Sequence, residues 1–212
     1  GTNGRGIYLD DNSNSNTITY TGNITTTGNT GHGISMITSD SNTITMTGNI
    51  TTAGTNANGF NLYNSNDSNT ITYTGNITTT GSNARGIYLH NNNDFNTITY
   101  TGNITTAGTD ANGIKLATSD SNTLTINGDI ITSGAAESVL LNDSDSNTIT
   151  LSGAVHSLAG DQAISVNASS QSNTFIFKRG VSFIGGLENN GGSTNTLRFD
   201  MGKAASYNLD FN

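Results

Sequence analysis

The tripeptide Asn-Thr-apolar returns eight times along this chain, at Asn16, Asn42, Asn69, Asn96, Asn122, Asn147, Asn173 and Asn195. Successive markers are 26, 27, 27, 26, 25, 26 and 22 residues apart. A period of that length confines the chain to a stack in which each repeat forms one coil, unable to bury its apolar side alone. Low charge supports an ordered reading of so polar a sequence. Only 10% of residues are charged and 32% hydrophobic, whereas disordered chains usually carry high charge and no fixed period.

Each coil spells out three short strands. After the marker comes Thr, then an inward apolar residue (Ile18, Ile44, Ile71, Ile98, Leu124, Ile149, Phe175, Leu197). Two positions further on comes a second (Tyr20, Met46, Tyr73, Tyr100, Ile126, Leu151, Phe177, Phe199). Alternation of period two with β-branched residues predicts a strand. A glycine corner follows at Gly22, Gly48, Gly75, Gly102, Gly128 and Gly153. The next strand places Ile24, Ile50, Ile77, Ile104, Ile130, Val155 and Val181 inside, and the third reads Gly-Ile-x-Leu. Three strands and three corners per coil predict an all-β fold, a single-stranded right-handed parallel β-helix (β-solenoid). It would have about eight coils and run roughly 38 Å. The marker asparagines are expected to stack as a ladder. Residues 1-172 carry the regular repeats. Residues 173-212 form more apolar, irregular coils of the same β-helix, where large side chains predict a tightly packed end.

Composition narrows the function classes. The formal charge of −8 argues against nucleic acid or an anionic membrane as a partner. The absence of cysteine excludes disulfides and thiolate metal sites. No apolar run reaches membrane-spanning length. The opening Gly1–Ile7 matches the middle of a repeat, so a longer protein is expected.

Two periodic surface features are candidate sites. Thr17, Thr19, Thr21, Thr43, Thr45, Thr47, Thr70, Thr72, Thr74, Thr97, Thr99 and Thr101 should face outward as a grid, ~6.7 Å along each strand and ~4.8 Å between coils. Such a grid is similar to the threonine arrays of ice-binding β-solenoids. It also has a purely structural reading, since Thr is a favoured outward strand residue. The second feature is a column of Asp40, Asp67, Asp94, Asp120 and Asp145, each two residues before a marker. Neighbours ~4.8 Å apart repel by ~0.9 kcal/mol even in water. Bound Ca²⁺ would relieve this, as would carboxylates that cap their own turns.

Catalysis is not expected. The acidic residues fall in turns, and no acid–base pair can be nominated. His32, His90 and His156 occupy three different repeat offsets, which predicts that they do not converge. A basic cluster of Lys178, Arg179, Arg198 and Lys203 near the C-terminus would suit an acidic glycan or simply solvate the rod's end.

The repeat wording Asn-Thr-Ile-Thr-Tyr-Thr-Gly-Asn-Ile-Thr-Thr-Thr-Gly, with Gly-Ile-Tyr-Leu between copies, resembles passenger domains of bacterial autotransporters. The tail Gly191-Gly192-Ser193-Thr194-Asn195-Thr196-Leu197-Arg198-Phe199 looks like their last coils. The resemblance implies secretion through a C-terminal β-barrel translocator in the full-length chain. It also implies display at the cell surface or in the extracellular space. Such rods serve as adhesins or as stalks, with a host or neighbouring-cell surface protein or glycan as partner. No catalytic residue is carried over. Four functions follow in order: an adhesin or display rod, an ice-binding solenoid, a self-assembling fibre subunit and a carbohydrate-active β-helix enzyme.

Overall fold

A computed structural model describes residues 3–159, 162–191 and 194–202. These residues hold 23 strands in three parallel sheets and no helix. The first sheet stacks eight strands, from Ile7–Leu9 through Ile34–Ile37, Phe60–Tyr63, Ile87–His90 and onward to Leu187–Asn189. The second stacks eight, from Thr17–Thr21 to Thr196–Asp200, and the third seven, from Ile24–Thr26 to Ser182–Ile184. The chain visits the sheets in rotation, so each strand pairs with its equivalent one coil away. This is a parallel β-solenoid of about seven turns, with two further strands beyond the last complete coil.

The repeat offsets become registers. Ile44, Ile71, Ile98, Leu124, Ile149 and Phe175 follow one another across the second sheet, each opposite the next. All six are at most 2% exposed. Beside them Met46, Tyr73, Tyr100, Ile126, Leu151 and Phe177 form a parallel buried column. One expected member of the third-sheet column changes. Val155 stands opposite Phe183 rather than Val181, because Val181 precedes the strand Ser182–Ile184.

Polar side chains join the coils where backbone cannot. The Oδ1 of each marker Asn accepts the backbone N–H of the marker one coil earlier, unbroken from Asn16 to Asn195 at 2.8–2.9 Å. From Asn69 onward its Nδ2 donates back to a carbonyl of that earlier coil, as from Asn96 to Asn66 at 2.7 Å. The expected ladder is therefore a set of two-pronged clamps on the corner backbone, which satisfies buried peptide groups. A second buried column, in which Asn66, Asn93, Ser119, Ser144 and Ser170 each accept an N–H from the preceding coil, carries no obvious repeat signature. Within a coil, inward Thr26, Thr52 and Thr79 turn their hydroxyls to the carbonyls of Gly31, Ala57 and Ala84 five residues on.

Close coil contact explains the glycine corners. Gly75 has φ 144°, and a Cβ there would sit 2.1 Å from the Gly48 carbonyl oxygen. Both the conformation and the space therefore require glycine.

The C-terminal end corrects one expectation. Phe175 and Phe177 are buried, but Leu197 is 43% exposed and Phe183, Leu187 and Phe199 are only partly covered. The core opens there into a cavity of about 360 Å³ bounded by Ile164, Val166, Phe175, Leu187 and Leu197. Large side chains do not make this end tighter, because no further described coil covers them. Tyr207, Phe211 and Lys203 lie outside the described residues.

Candidate functional site

The threonine face is in register. Thr17, Thr43, Thr70 and Thr97 align, as do Thr19, Thr45, Thr72 and Thr99, and Thr21, Thr47, Thr74 and Thr101. All are exposed except Thr99, which is half-buried. The first column continues through Thr123, Thr148, Thr174 and Thr196, spanning all eight strands, and the second through Thr125 and Thr150. It ends at Ile176 and Arg198. The array is thus longer than the four coils on which its wording is most regular.

The aspartate column has a different task from the one expected of a turn cap. Asp40 Oδ1 accepts the N–H of Asp67 at 2.9 Å, Asp67 that of Asp94 at 2.8 Å, Asp94 that of Asp120 at 2.7 Å, and Asp120 that of Asp145 at 2.8 Å. Asp145 accepts from Gln171 at 2.6 Å. Each carboxylate caps the following coil, not its own turn. Burial, with Asp120 and Asp67 on either side, raises the Asp94 pKa. Among the described residues, no three His, Cys, Asp or Glu side chains gather as a metal ion would need. In the C-terminal basic cluster, Lys178 Nζ pairs with Asp200 at 2.5 Å.

A site that sequence reasoning missed lies on the outer face of the first sheet. Tyr8, Ser35, Asn61, Tyr88 and Lys115 occupy one register column. Arg5, His32, Asn58 and Arg85 stand just before the strands and lean over it. Between the arginine–tyrosine pairs lies a cleft of about 360 Å³, lined among others by Arg5, His32, Asn58, Asn61, Arg85 and His90. The Arg5 guanidinium rests 4.2 Å above the Tyr8 ring and that of Arg85 4.4 Å above Tyr88, a favourable cation–π placement. His90 stacks on Tyr88 at 4.0 Å and on Tyr63 at 4.6 Å.

Hydrogen bonds fix the donors. His32 Nδ1 accepts the Asn58 N–H at 3.0 Å, which leaves its proton on Nε2. Asn61 Oδ1 takes Asn58 Nδ2 at 2.9 Å and His90 Nε2 at 3.2 Å. Burial holds the His32 pKa down to about 4, helped by Arg5. The His90 pKa is also lowered to about 4, by burial first and then by Arg85, His32 and Lys115. Both imidazoles are therefore neutral at pH 7. The expectation that the histidines stay apart fails for these two, because an offset just before a first-sheet strand and one at such a strand's end line the same cleft. His156 is elsewhere, its Nε2 3.2 Å from Ser182 Oγ. The available signal was variation by column. Arg5, His32, Asn58 and Arg85 change chemistry at one repeat position, as do Tyr8, Ser35, Asn61 and Tyr88 three residues on, while the inward positions beside them stay apolar.

No protein-family model, curated protein or solved structure matches this chain. The fold itself defines the class, a β-solenoid repeat protein.

Proposed function

We propose that the chain is a non-catalytic rod displayed at a bacterial cell surface or secreted, working as an adhesin or display rod with its lateral faces as contact surfaces. The observation that carries this reading is the division of labour among side chains. The marker Asn and Asp columns are spent on binding coil to coil, which gives a stiff stack. The outward Thr columns and the arginine–tyrosine pairs of the first-sheet cleft are left to face outward. The likeness of the repeat to autotransporter passengers supports the location, with a C-terminal β-barrel translocator in the full-length chain. A host or neighbouring-cell protein or glycan is then the partner.

The test is retention of beads coated with this chain on bacterial and epithelial cells. Expected is retention several-fold above albumin-coated beads, with loss after enzymatic trimming of surface proteins or glycans. Retention equal to albumin would refute it. The in-register Thr columns favour a second reading, ice binding, because three columns of methyls and hydroxyls align over the first four strands of the second sheet and one continues to its end. Thermal hysteresis that disappears in Thr72→Tyr would support it, and no hysteresis in the parent would dismiss it.

A further inference from the structure

The cleft on the first sheet has the chemistry of a ligand site, and three observations narrow the ligand. The first is charge. The chain carries 15 Asp and Glu against seven Lys and Arg, yet the residues lining this cleft include two arginines and no carboxylate. The second is unspent bonding capacity. Arg5 Nε, Arg85 Nε and Ser35 Oγ are buried and lack a hydrogen-bond partner. Ser35 is 0% exposed at the register position between Tyr8 and Asn61. Buried polar groups in folded proteins are normally satisfied, so the two arginine donors that line this cleft point to a missing acceptor, while Ser35 lies outside its lining. The third is the remainder of the lining, which consists mainly of amides, hydroxyls and neutral imidazoles that suit hydroxyl groups. The cleft volume of about 360 Å³ lies at the small end of ligand pockets, ~300–1,000 Å³, so a helix or folded partner does not enter.

We propose that this cleft binds a carboxylated sugar, as the free acid or as the terminal residue of an acidic glycan. Its carboxylate would meet the guanidinium fork of one of the two arginines, which rest on tyrosines three coils apart, while the other donates to the sugar's hydroxyls together with the Asn58, Asn61 and histidine edges. Arginine suits this role because its planar fork matches a carboxylate, which a lysine does not. The inference rests on the adhesion reading only in taking a surface glycan as the natural source.

The experiment is calorimetry and NMR titration of the intact chain with glucuronate, a short oligogalacturonate, glucose, inorganic phosphate and a glutamate-rich peptide. Expected is uronate binding with Kd roughly millimolar or tighter and at least ~10-fold preference over glucose, worth ~1.4 kcal/mol. Arg85→Gln and Arg5→Gln should each weaken it ~10-fold while the melting temperature stays near the parent's. In the parent, the His32 and His90 ring resonances should shift on titration while those of His156 stay, a readout that needs no variant. Tighter binding of the oligomer assigns the site to a glycan end, and equal affinity assigns it to the free acid. Absent uronate binding, phosphate or peptide binding of equal strength, or uronate binding untouched in both variants would overturn the proposal. Beads that adhere equally with both arginines replaced, uncompeted by uronate, would sink this inference and leave adhesion standing. Uronate binding without bead retention would do the reverse.

Discussion

Asn96 Oδ1 accepts the backbone N–H of Asn69 at 2.9 Å, one coil earlier, while Asn96 Nδ2 donates to the Asn66 carbonyl at 2.7 Å. One buried side chain thus satisfies a peptide donor and a peptide acceptor of the same neighbouring corner. The geometry requires an amide, since only an amide presents acceptor and donor at that spacing. Asn96→Ala should cost ~2–4 kcal/mol, because it orphans both backbone groups. Asn96→Asp should cost at least as much, since a carboxylate keeps the acceptor, loses the donor and buries charge. Urea unfolding of both variants checks the order, and an Asp variant as stable as the parent would contradict it.

The aspartate column predicts a gain from losing charge. Asp94 Oδ1 accepts the Asp120 N–H, and its pKa is raised by burial and by its acidic neighbours. Asn at that position keeps the acceptor and removes repulsion from two sides. Asp94→Asn should therefore stabilise the chain by ~0.5 kcal/mol after allowance for solvent and salt screening. The gain should shrink as salt rises. Ca²⁺ offers the contrasting outcome. If a cation already neutralises the column, added Ca²⁺ will raise the parent's melting temperature and Asp94→Asn will lower it.

The neutral histidines make stability fall on the acid side. His32 and His90 have pKa values of about 4 in the folded chain, against ~6.5 when unfolded. The unfolded state therefore binds more protons between those values. The contribution is fully present above pH 6.5 and is lost as pH drops toward 4. At pH 5 the loss is at most ~2 kcal/mol for each imidazole. The groups facing them are Arg5 for His32, and Arg85, Lys115 and His32 for His90. Denaturation between pH 7 and 5 should show this slope in the parent and lose most of it in His32→Asn plus His90→Gln. An unchanged slope would place the proton uptake elsewhere.

How far the sequence led depends on whether a feature repeats. The alternation of Thr with Ile44, Ile71 and Ile98 specified strand, face and register, because a solenoid places equivalent residues in contact. The marker Asn column was legible for the same reason. What Asn does there, reaching one coil back with both amide atoms, needed the corner geometry. The first-sheet cleft was hidden because it is built from exceptions. Tyr8 and Tyr88 stand three coils apart around smaller Ser35 and Asn61. The histidines reach the cleft from two different offsets. The open C-terminal end was misread because large apolar residues such as Leu197 and Phe199 announce burial only where another layer covers them.

Buried tyrosines give a spectroscopic prediction. Tyr73 donates its hydroxyl to the Gly48 carbonyl at 2.5 Å, and Tyr100 to that of Asn103 at 2.8 Å. Burial raises both phenol pKa values, and for Tyr100 its neighbour Tyr73 adds to the rise. The rings stack at 5.3 Å. In an alkaline absorbance titration, two of the seven tyrosines should ionise only as the chain unfolds. Tyr73→Phe should remove one of them and cost ~1–2 kcal/mol, because the Gly48 carbonyl loses its donor. Seven tyrosines titrating together near pH 10 would contradict the burial.

Stability should be highest in the middle of the rod. In a nearest-neighbour stack an interior coil is held from both sides and a terminal coil from one. The strand Thr70–Thr74 pairs on both edges, and the Asn69 amide beside it is clamped by Asn96. By contrast Thr196–Asp200 pairs on one edge only among the described residues, and Leu197 is 43% exposed. The aromatic cluster resists this gradient without reversing it. Phe177 touches Phe183 at 5.0 Å and Phe199 at 5.3 Å between ring centres, so the last strands have one strong anchor. Native-state hydrogen exchange should be slower at Ile71 and Ile98 than at Leu197 by ~100-fold or more, a difference of ~3 kcal/mol in opening free energy. Phe177→Ala removes the anchor and leaves a void worth ~3–5 kcal/mol. It should speed exchange from Thr174 to Asp200 and leave Thr43–Thr101 nearly unchanged. Equal acceleration along the whole rod would mean that the coils open as a single unit, and the nearest-neighbour account would fail.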